Sequence, residues 1–344
     1  MLVTRQPVLR RFWYPVMPLD HLADGPRPFT LLGEAIVLWQ LPDGTPVALK
    51  DRCCHRTAKL SCGWVEGERI ICGYHGWAYD RTGQVVSIPQ QPERQPDERL
   101  RTPGYHAQAR YGYVWVALED PLEAIPEIPE IHDPGFRRID EFYEVWRAPG
   151  LRIMENSFDN AHFSYVHRAS FGVQEDPEPA PLELVDEGMG FSMITEVAVK
   201  NPEIQKRNLG IQAERTVRRY RKTYWMPFSR KMHVTYPNGL VHIIVTCTAP
   251  IDDGHSQVIQ FALRNDTEED APAERVIAFD RQVTSEDRRI LEVCEHDVPL
   301  ATASGEEYHM PSDRPGLEMR KRLARLLEAH GETEVRDSRA PTCS

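Results

Sequence analysis

Two short loops rich in cysteine and histidine constrain this chain more than any other feature. Both lie in the stretch from Asp51 to Asp80, DRCCHRTAKLSCGWVEGERIICGYHGWAYD. One residue separates Cys53 from His55, two separate Cys72 from His75, and sixteen residues lie between His55 and Cys72. Each loop thus offers one thiolate and one imidazole, which are ligands for transition metals. The stretch predicts a metal site held by two loops.

Two kinds of metal centre fit this donor set. The Rieske variant of the 2Fe-2S cluster places two cysteine sulfurs on one iron and two histidine nitrogens on the other. Two cysteines and two histidines also form a tetrahedral structural zinc site. Zinc sites more often pair like with like, as CxxC followed by HxxxH, so the mixed pairs favour iron and sulfide.

The cysteine content supports a metal site rather than a disulfide framework. There are seven cysteines, an odd number: Cys53, Cys54, Cys62, Cys72, Cys247, Cys294 and Cys343. The first four lie within twenty residues of one another. In an intracellular chain of this size, such a cluster is more typical of metal binding. We interpret Cys54 and Cys62, which fall outside the ligand pattern, as spectators.

Length and charge bound the class of protein. A chain of 344 residues with 41% apolar and 27% charged residues suits two globular domains. A net charge of −11 argues against nucleic-acid or anionic membrane partners, which require basic surface. No apolar run of about 18 residues predicts a membrane span, and the N-terminus lacks the pattern of a secretory signal. We therefore expect a cytoplasmic protein.

The sequence divides into two textures joined by a proline-rich connector. Residues 29–120 consist of short β-rich runs, beginning with a hairpin around the turn PDGT, and predict a small antiparallel β domain that carries the ligand loops. After the connector at 119–138, a helical segment at 151–168 precedes four strand-like runs, and long helices are expected at 273–295 and 314–330. The predicted fold class is α+β, with domains at 1–140 and 141–344 and a pocket in the second.

A second candidate site lies in MENSFDNAHFSYVHRASFG. Asn156, Asp159, His162 and His167 are its polar side chains. Asp159 and His162 have the i, i+3 spacing of helix neighbours. On an ideal helix, His167 would point about 140° away from His162, so both can reach one ion only if the helix ends or bulges between them. The aromatic and β-branched run FSYV is the expected position of that break.

A carboxylate to complete this site can be sought by helical periodicity. In the segment AERVIAFDRQVTSEDRRILEVC, Asp287 falls in the middle of an apolar stripe formed by Val276, Phe279, Val283, Ile290 and Cys294. A buried carboxylate is costly unless it is paired or binds a metal. Asp287 is therefore the candidate ligand and Asp280, nearer the edge, is the second choice. Two imidazoles and one carboxylate form the facial triad of non-haem iron(II) sites.

With these residues in view, the chain resembles the Rieske non-haem iron oxygenases, catalytic component, over nearly its full length. The resemblance rests on CCHRTAKLSCGW with CGYHGWAYD, on NSFDNAHFSYVH and on SEDRRILE. It points to the single-subunit branch of the family. It implies an N-terminal antiparallel β Rieske domain followed by a helix-grip (START-like) catalytic domain with an antiparallel sheet.

The resemblance also implies roles for the candidate residues. Cys53, His55, Cys72 and His75 would hold the cluster, and His162, His167 and Asp287 would hold iron(II). Asn156 and Asp159 would be catalytic, and Asp159 would link His162 to His75 of the partner subunit in a head-to-tail homotrimer. Two residues depart from the family pattern without removing a ligand: Cys54 in the first loop, and Gly73 where proline is common in the second.

The implied activity is that of an oxygen-dependent monooxygenase which hydroxylates, or O- or N-demethylates, a small to medium organic substrate. The sequence has no GxGxxG fingerprint and no second cysteine cluster. Electrons from NAD(P)H are therefore expected through a separate ferredoxin or flavin reductase. Arg52, Arg56 and Lys59 form either a docking patch for that donor or a solvated surface. Phe158, Met154, Tyr165 and residues 241–247 are the pocket candidates.

Two other functions remain open at this stage. One is a non-catalytic Rieske electron-transfer protein, and the other is a zinc-stabilised module that binds a ligand. Both leave the second site, with Asp159, His162, His167 and Asp287, without a purpose.

Overall fold

The computed structural model describes residues 1–303 and 305–337, and the chain forms two compact units. One unit contains Pro7–Ile125 and Ala249–Asp252. The other contains Met1–Gln6, Pro126–Thr248 and the described residues from 253 to 337. Cys343 lies outside the described residues. The domain boundary near residue 140 stays a prediction.

The unit from Pro7 to Ile125 is built from two antiparallel sheets. A six-stranded sheet has the order β1-β10-β9-β4-β3-β2, and a four-stranded sheet has the order β5-β6-β7-β8. The strands are β1 (Tyr14–Pro18), β2 (Arg27–Leu31), β3 (Glu34–Gln40), β4 (Pro46–Lys50), β5 (Trp64–Glu66), β6 (Arg69–Ile71), β7 (Ala78–Tyr79), β8 (Val85–Ser87), β9 (Gly104–Arg110) and β10 (Tyr113–Ala117).

The predicted hairpin is present, with one more turn than expected. The chain reverses at the PDGT turn between β3 and β4, where Gly44 adopts a positive φ of 89°. The apolar run before it is itself broken, because Leu32 and Gly33 both have positive φ and join β2 to β3. Continuous β-forming composition carried no signal for that break.

The other unit is a seven-stranded sheet with helices, which confirms the predicted α+β class. The sheet order is β11-β17-β16-β15-β14-β13-β12, and the run from β12 to β16 is antiparallel. Its strands are β11 (Arg137–Trp146), β12 (Leu182–Glu187), β13 (Gly190–Lys200), β14 (Arg215–Trp225), β15 (Ser229–Thr235), β16 (Val241–Pro250) and β17 (Ser256–Arg264). Its helices are α1 (Gly150–Phe158), α2 (Phe163–Val166), α3 (Glu203–Leu209), α4 (Ala273–Leu291) and α5 (Arg314–Ala329).

Short 3-10 turns complete the described structure. They span Val3–Arg5, Pro7–Arg11, Leu19–Leu22, Leu60–Cys62, Pro129–His132 and Pro311–Asp313. None of the helices in the described parts of the chain is long and apolar enough to cross a membrane.

Helix α4 lies against the sheet and carries part of the core. Phe279 packs with Val199 of β13, Tyr220 of β14 and Val234 of β15, and α4 also contacts α1, α2 and α3. Its predicted apolar stripe holds only in the first half, because Val276 and Phe279 are buried whereas Ile290 is 47% exposed. Leu291 is the buried residue of the last turn instead, so the buried face lies slightly to one side of the predicted one.

Candidate metal centres and substrate cavity

The two Cys/His loops share one backbone design. In the first loop the amide of Thr57 donates to the carbonyl of Cys53, and in the second the amide of Gly76 donates to the carbonyl of Cys72. The amide of each cysteine donates to a carbonyl five residues on, at Ala58 or at Trp77. Thr57 and Gly76 both have positive φ, of 60° and 72°, which closes each tight loop. The loops therefore present equivalent donor groups.

The four loop side chains are brought together in a pattern that fits a cluster. Cys53 and Cys72 are buried in one hydrophobic cluster, and burial together with the neighbouring Cys53 side chain raises the pKa of the Cys72 thiol. The rings of His55 and His75 lie with centroids 4.6 Å apart. Nδ1 of His55 is buried and has no hydrogen-bond partner, which suits a nitrogen that binds a metal. The sulfur pair and the imidazole pair match the donor set of a Rieske cluster.

Tyr79 contacts this donor set, and sequence reasoning missed it. Its hydroxyl donates to Sγ of Cys53 over 3.0 Å and accepts from the amide of Cys54 over 3.0 Å. Sγ of Cys54 lies 3.3 Å from the same hydroxyl. Hydrogen bonds to cluster sulfurs are among the features that set the reduction potential.

The glycine in the second loop has a packing reason. A Cβ at position 73 would lie 2.8 Å from the carbonyl oxygen of Cys62. Any side chain there would push the backbone at Cys62 away from the second loop, so this arrangement favours glycine.

His162, His167 and Asp287 form a compact triangle. Nε2 of His162 lies 3.1 Å from Nε2 of His167. Oδ1 of Asp287 lies 3.4 Å from the first nitrogen and 3.3 Å from the second. This oxygen is buried and has no hydrogen-bond partner. Three convergent donor atoms could hold one metal ion, and they are the types that bind non-haem iron(II).

The chain brings the two imidazoles together by ending one helix and starting another. Helix α1 ends at Phe158, and Asp159 has an extended backbone. The Asp159 carboxylate accepts from the amide of Ala161 over 2.7 Å, a local bond that competes with helix continuation. His162 and His167 then flank the single turn of α2. The predicted break is real, but FSYV forms that turn, and Asp159 and His162 lie in the break rather than on a helix surface.

Each imidazole is also fixed by a carboxylate on its other nitrogen. Nδ1 of His162 lies 3.2 Å from Oδ2 of Asp159, and Nδ1 of His167 lies 2.8 Å from Oε2 of Glu286. Ser170 donates to the same Glu286 oxygen over 2.7 Å. Such partners orient a ligand histidine and fix its tautomer. Sequence reasoning missed Glu286, although it is the direct neighbour of Asp287 on α4.

Burial and the neighbouring histidine side chains act in opposite directions on the pKa of Asp287 and of Asp159. Burial alone would raise the pKa of Asp287, but His162 and His167 lower it well below its usual range. The same competition lowers the pKa of Asp159, through His162 and the amide of Ala161. Both groups are therefore anionic at neutral pH, as a metal ligand and its supporting group must be.

Asp280, the second choice for the carboxylate ligand, lies elsewhere. It is buried beside Glu141 and His242, a separate group of potential ligands. Burial raises the pKa of Asp280 to about 6. Burial also raises the pKa of Glu141 well above its usual range, and the charge of Asp280 raises it further. Burial therefore favours the protonated form of both carboxyl groups.

Two cavities meet at the triangle. The sheet cavity, of about 100 Å³, is lined by side chains of β14, β15, β16 and α4, and by all three triangle residues. The helix cavity is lined by residues of α1, α4 and α5, with Asp159 and His162 at one side. Asn156 lines both cavities. The triangle can therefore be reached from two directions.

The pocket candidates are partly wrong. His242 and Ile244, from the predicted segment 241–247, line the sheet cavity, whereas Phe158 lines the helix cavity. Met154 is fully buried and Tyr165 is 55% exposed, and neither lines these two cavities. Helical position alone could not show which side of α1 or α2 faces the metal site.

Comparisons with known proteins agree with this geometry. Residues 12–106 match the Rieske [2Fe-2S] domain family, and residues 146–329 match the vanillate O-demethylase oxygenase C-terminal domain family. The methylxanthine N1-demethylase NdmA of Pseudomonas putida is 29% identical over 94% of this chain and 91% of its own length. The structure of NdmA with caffeine superposes with a TM-score of 0.84, at 26% identity, covering 98% of this chain and 99% of that one.

A second relative matches about half of this chain. The vanillate O-demethylase oxygenase subunit of Pseudomonas sp. (strain HR199 / DSM 7063) is 32% identical over 51% of this chain and 49% of its own length. The two matched families place a Rieske domain before an oxygenase domain, which supports neither a non-catalytic carrier nor a zinc module. The chain belongs to the Rieske non-haem iron oxygenases as a catalytic component, an oxidoreductase that uses dioxygen and electrons from a separate reductase or ferredoxin to hydroxylate or demethylate small organic compounds.

Proposed function

We propose that His162, His167 and Asp287 bind the mononuclear iron(II), and that Cys53, His55, Cys72 and His75 bind the Rieske cluster. The single observation that carries the first assignment is the triangle of two nitrogens and one unpartnered carboxylate oxygen, with sides of 3.1, 3.3 and 3.4 Å. The buried sulfur pair and the unpartnered Nδ1 of His55 support the second.

The protein's own contribution to catalysis is positioning. Asp159 and Glu286 hold the two imidazoles so that both Nε2 atoms converge with Oδ1 of Asp287, where the metal ion would bind. The substrate occupies the sheet cavity, and Asn156, at the junction of both cavities, offers hydrogen bonds beside His162. The bound iron would supply the activation of dioxygen. Closely held geometry of this kind is what converts binding into rate.

The proposed assembly is the head-to-tail homotrimer in which Asp159 faces His75 of the partner subunit. Asp159 and His162 are accessible through the helix cavity, whose wall includes the exposed side chains of Ile290 and Tyr308. Exposed apolar groups around a cavity that also holds polar side chains are typical of a protein interface. Tyr74, next to His75, is 64% exposed and would suit such a contact.

Two finer points belong to the same proposal. Arg52, Arg56 and Lys59 are exposed on the first loop and could receive an acidic electron donor; if they are merely solvated, their charge reversal will leave the salt dependence of cluster reduction unchanged. A cytoplasmic location stays a prediction of the sequence.

The test of the iron assignment is a His162→Ala variant with His330→Ala as the matched control, because His330 is exposed at the end of α5. We expect His162→Ala to retain the visible and electron paramagnetic resonance spectra of the cluster. It should lose the signal of the nitric oxide adduct of iron(II) and all product formation. His330→Ala should keep both. An unchanged adduct signal in His162→Ala would refute the assignment, and zinc without iron or sulfide in the unmodified protein would refute the cluster.

A further inference from the structure

The floor of the sheet cavity carries three buried cations. Arg218 and Lys222 project from β14, and Arg230 projects from β15; their exposures are 3%, 1% and 7%. Strand pairing places Lys222 opposite Met232, while Arg230 pairs with Tyr224 one step along the same face. The three charges therefore share the surface that also holds Tyr220, Met232 and Ile244.

Among the described residues, none of these cations forms an ion pair with a carboxylate. Lys222 donates to Oδ1 of Asn160 over 3.0 Å, and Arg230 donates to Oγ of Ser157 over 2.9 Å. Arg218 donates to Oδ1 of Asn201 over 2.9 Å, and its Nε is buried without any partner. Buried cations are normally paired, since desolvating an unpaired charge is costly.

The cations also repel one another. Burial and the like charge of Arg230 lower the pKa of Lys222 to about 7. The other charged side chain of the lining, apart from the proposed metal ligand, is Asp280, whose pKa is raised by burial to about 6. Two arginines thus outweigh that single negative charge even when Lys222 is neutral. This local excess of positive charge contrasts with the net charge of −11 of the whole chain.

The aromatic rings of the cavity are not free to bind a cationic ligand. Nζ of Lys222 lies 5.2 Å from the centroid of Phe163 and 5.7 Å from that of Tyr220. The guanidinium of Arg218 lies 5.1 Å from the centroid of Tyr236. The faces that could attract an ammonium group are already occupied by the protein's own cations, which would repel a second one.

We propose that the substrate is an organic anion, a compound with a carboxylate or sulfonate group that binds at Lys222 and Arg230 while its reacting carbon faces the triangle. This inference rests on the proposed function and names the substrate class of the same site. Arginine pairs with such anions through two parallel hydrogen bonds. The uncharged methylxanthine bound in the relative's structure is a different class of ligand.

The test compares matched pairs of probes that differ in charge and little else: benzoate and benzamide, 4-methoxybenzoate and 4-methoxybenzamide, 1-naphthoate and 1-naphthamide. Binding is measured by calorimetry on the iron-loaded protein with its cluster oxidised and without dioxygen. We expect the anion to bind about 10- to 100-fold more tightly than the amide in at least one pair, as charge-assisted hydrogen bonds predict.

Variants locate the effect. Arg230→Met should remove most of the preference for the anion, and Lys222→Met should reduce it below pH 7, where the ammonium is protonated. Arg219→Met is the control, because Arg219 is the neighbour of Arg218 on β14 but is exposed on the opposite face. If Arg230→Met does not fold, Arg230→Lys, with its weaker fit to a carboxylate, should show an intermediate preference.

Several results would overturn the inference: equal or tighter binding of the amide in every pair, no binding of either member of any pair, or a preference that Arg230→Met and Lys222→Met leave intact. Failure of the proposed function has a different signature. In that case the nitric oxide adduct of iron(II) would survive His162→Ala, whatever the probes do.

Discussion

Glu286 is the residue whose role is best tested by itself. It is buried, and its carboxylate accepts from Nδ1 of His167 and from Ser170. We expect Glu286→Leu to lower the affinity for iron(II) by about 10- to 100-fold, because the imidazole loses the group that fixes its orientation. The measurement is an iron(II) titration followed by the nitric oxide adduct, with the cluster spectrum as a check on folding.

The control for Glu286 lies on the same helix. Glu274 is exposed in the first turn of α4, so Glu274→Leu should leave iron affinity unchanged. Wild-type affinity in Glu286→Leu would show that the hydrogen bond to His167 has no positioning role.

The buried position of Lys222 in the cavity should lower the stability of the folded protein. Its folded-state pKa of about 7 lies below the ordinary value of 10.5. The folded state therefore disfavours the protonated form, so the cost is absent above pH 10.5, grows as the pH falls and is complete below about pH 7. We expect Lys222→Met to raise the free energy of unfolding by about 1 to 4 kcal/mol below pH 7.

The check on Lys222→Met is the pH dependence of its thermal midpoint. The increase in thermal midpoint over wild type should be largest below pH 7 and should shrink towards pH 10. Lys321→Met, at an exposed position on α5, should leave the midpoint unchanged in both pH ranges. A midpoint below wild type in both ranges would contradict the interpretation of Lys222 as a net cost.

The residue scale also shows what the sequence could reveal. Cys53, His55, Cys72 and His75 lie close together in sequence, and chemistry with spacing is enough to find them. His167 and Glu286 meet across 119 positions, and nothing in either segment indicates that contact. In Arg218 to Lys222, RRYRK, strand periodicity predicts that alternate residues share a face, but composition does not tell which set faces the cavity.

Among the elements, the single turn α2 does most to form the proposed iron site. It sets the separation of His162 and His167, and the chain that leaves it returns so closely that a Cβ on Gly172 would lie 2.1 Å from the carbonyl oxygen of Phe163. The amide of Gly172 donates to the carbonyl of His167 over 2.8 Å. The glycine therefore holds the second ligand from below.

We expect Gly172→Ala to displace α2, because the clash is with backbone atoms that cannot rotate away. Stability should fall by about 1 to 3 kcal/mol, and iron(II) binding should be lost while the cluster spectrum remains. Gly135→Ala is the control, since its Cβ would meet only the carboxylate tip of Asp133, at 3.1 Å. Full iron binding in Gly172→Ala would mean that α2 tolerates the shift.

The elements of the sheet were easier to predict than the helices around the iron. The run GFSMITEVAVK coincides with β13, Gly190–Lys200, because β-rich composition and a following turn fix its limits. The helix predicted to reach residue 295 ends at Leu291. Its last turn is polar outside and only partly buried, so hydrophobic periodicity has no phase there.

At the scale of the whole molecule, the proposed trimer makes electron transfer a property of the assembly. Neither Cys72→Ser, which lacks a cluster, nor His162→Ala, which lacks iron(II), should oxidise substrate alone. Trimers that contain both variants, co-expressed with two affinity tags, should recover part of the activity, because an intact cluster then faces an intact iron site across the subunit boundary.

The readout for mixed trimers is oxidation of the chemically reduced cluster by dioxygen, with any substrate that the unmodified protein converts. The controls are trimers that carry a single variant, each checked for its remaining centre. Mixed trimers as inactive as their parents would indicate that both centres must lie in one subunit, and a monomer in solution would remove the basis of the proposal.

The alternation of side chains along β14 has one more consequence, for how this enzyme can diverge. Arg218, Tyr220 and Lys222 face the cavity, while Arg219 and Arg221 face outwards. Exchange of any one side chain changes one contact, but insertion or deletion of a single residue would turn the strand over and send every inward group to the surface. Point mutations in this strand can therefore change the substrate preference. A change in the length of the strand cannot do so without loss of its register in the sheet.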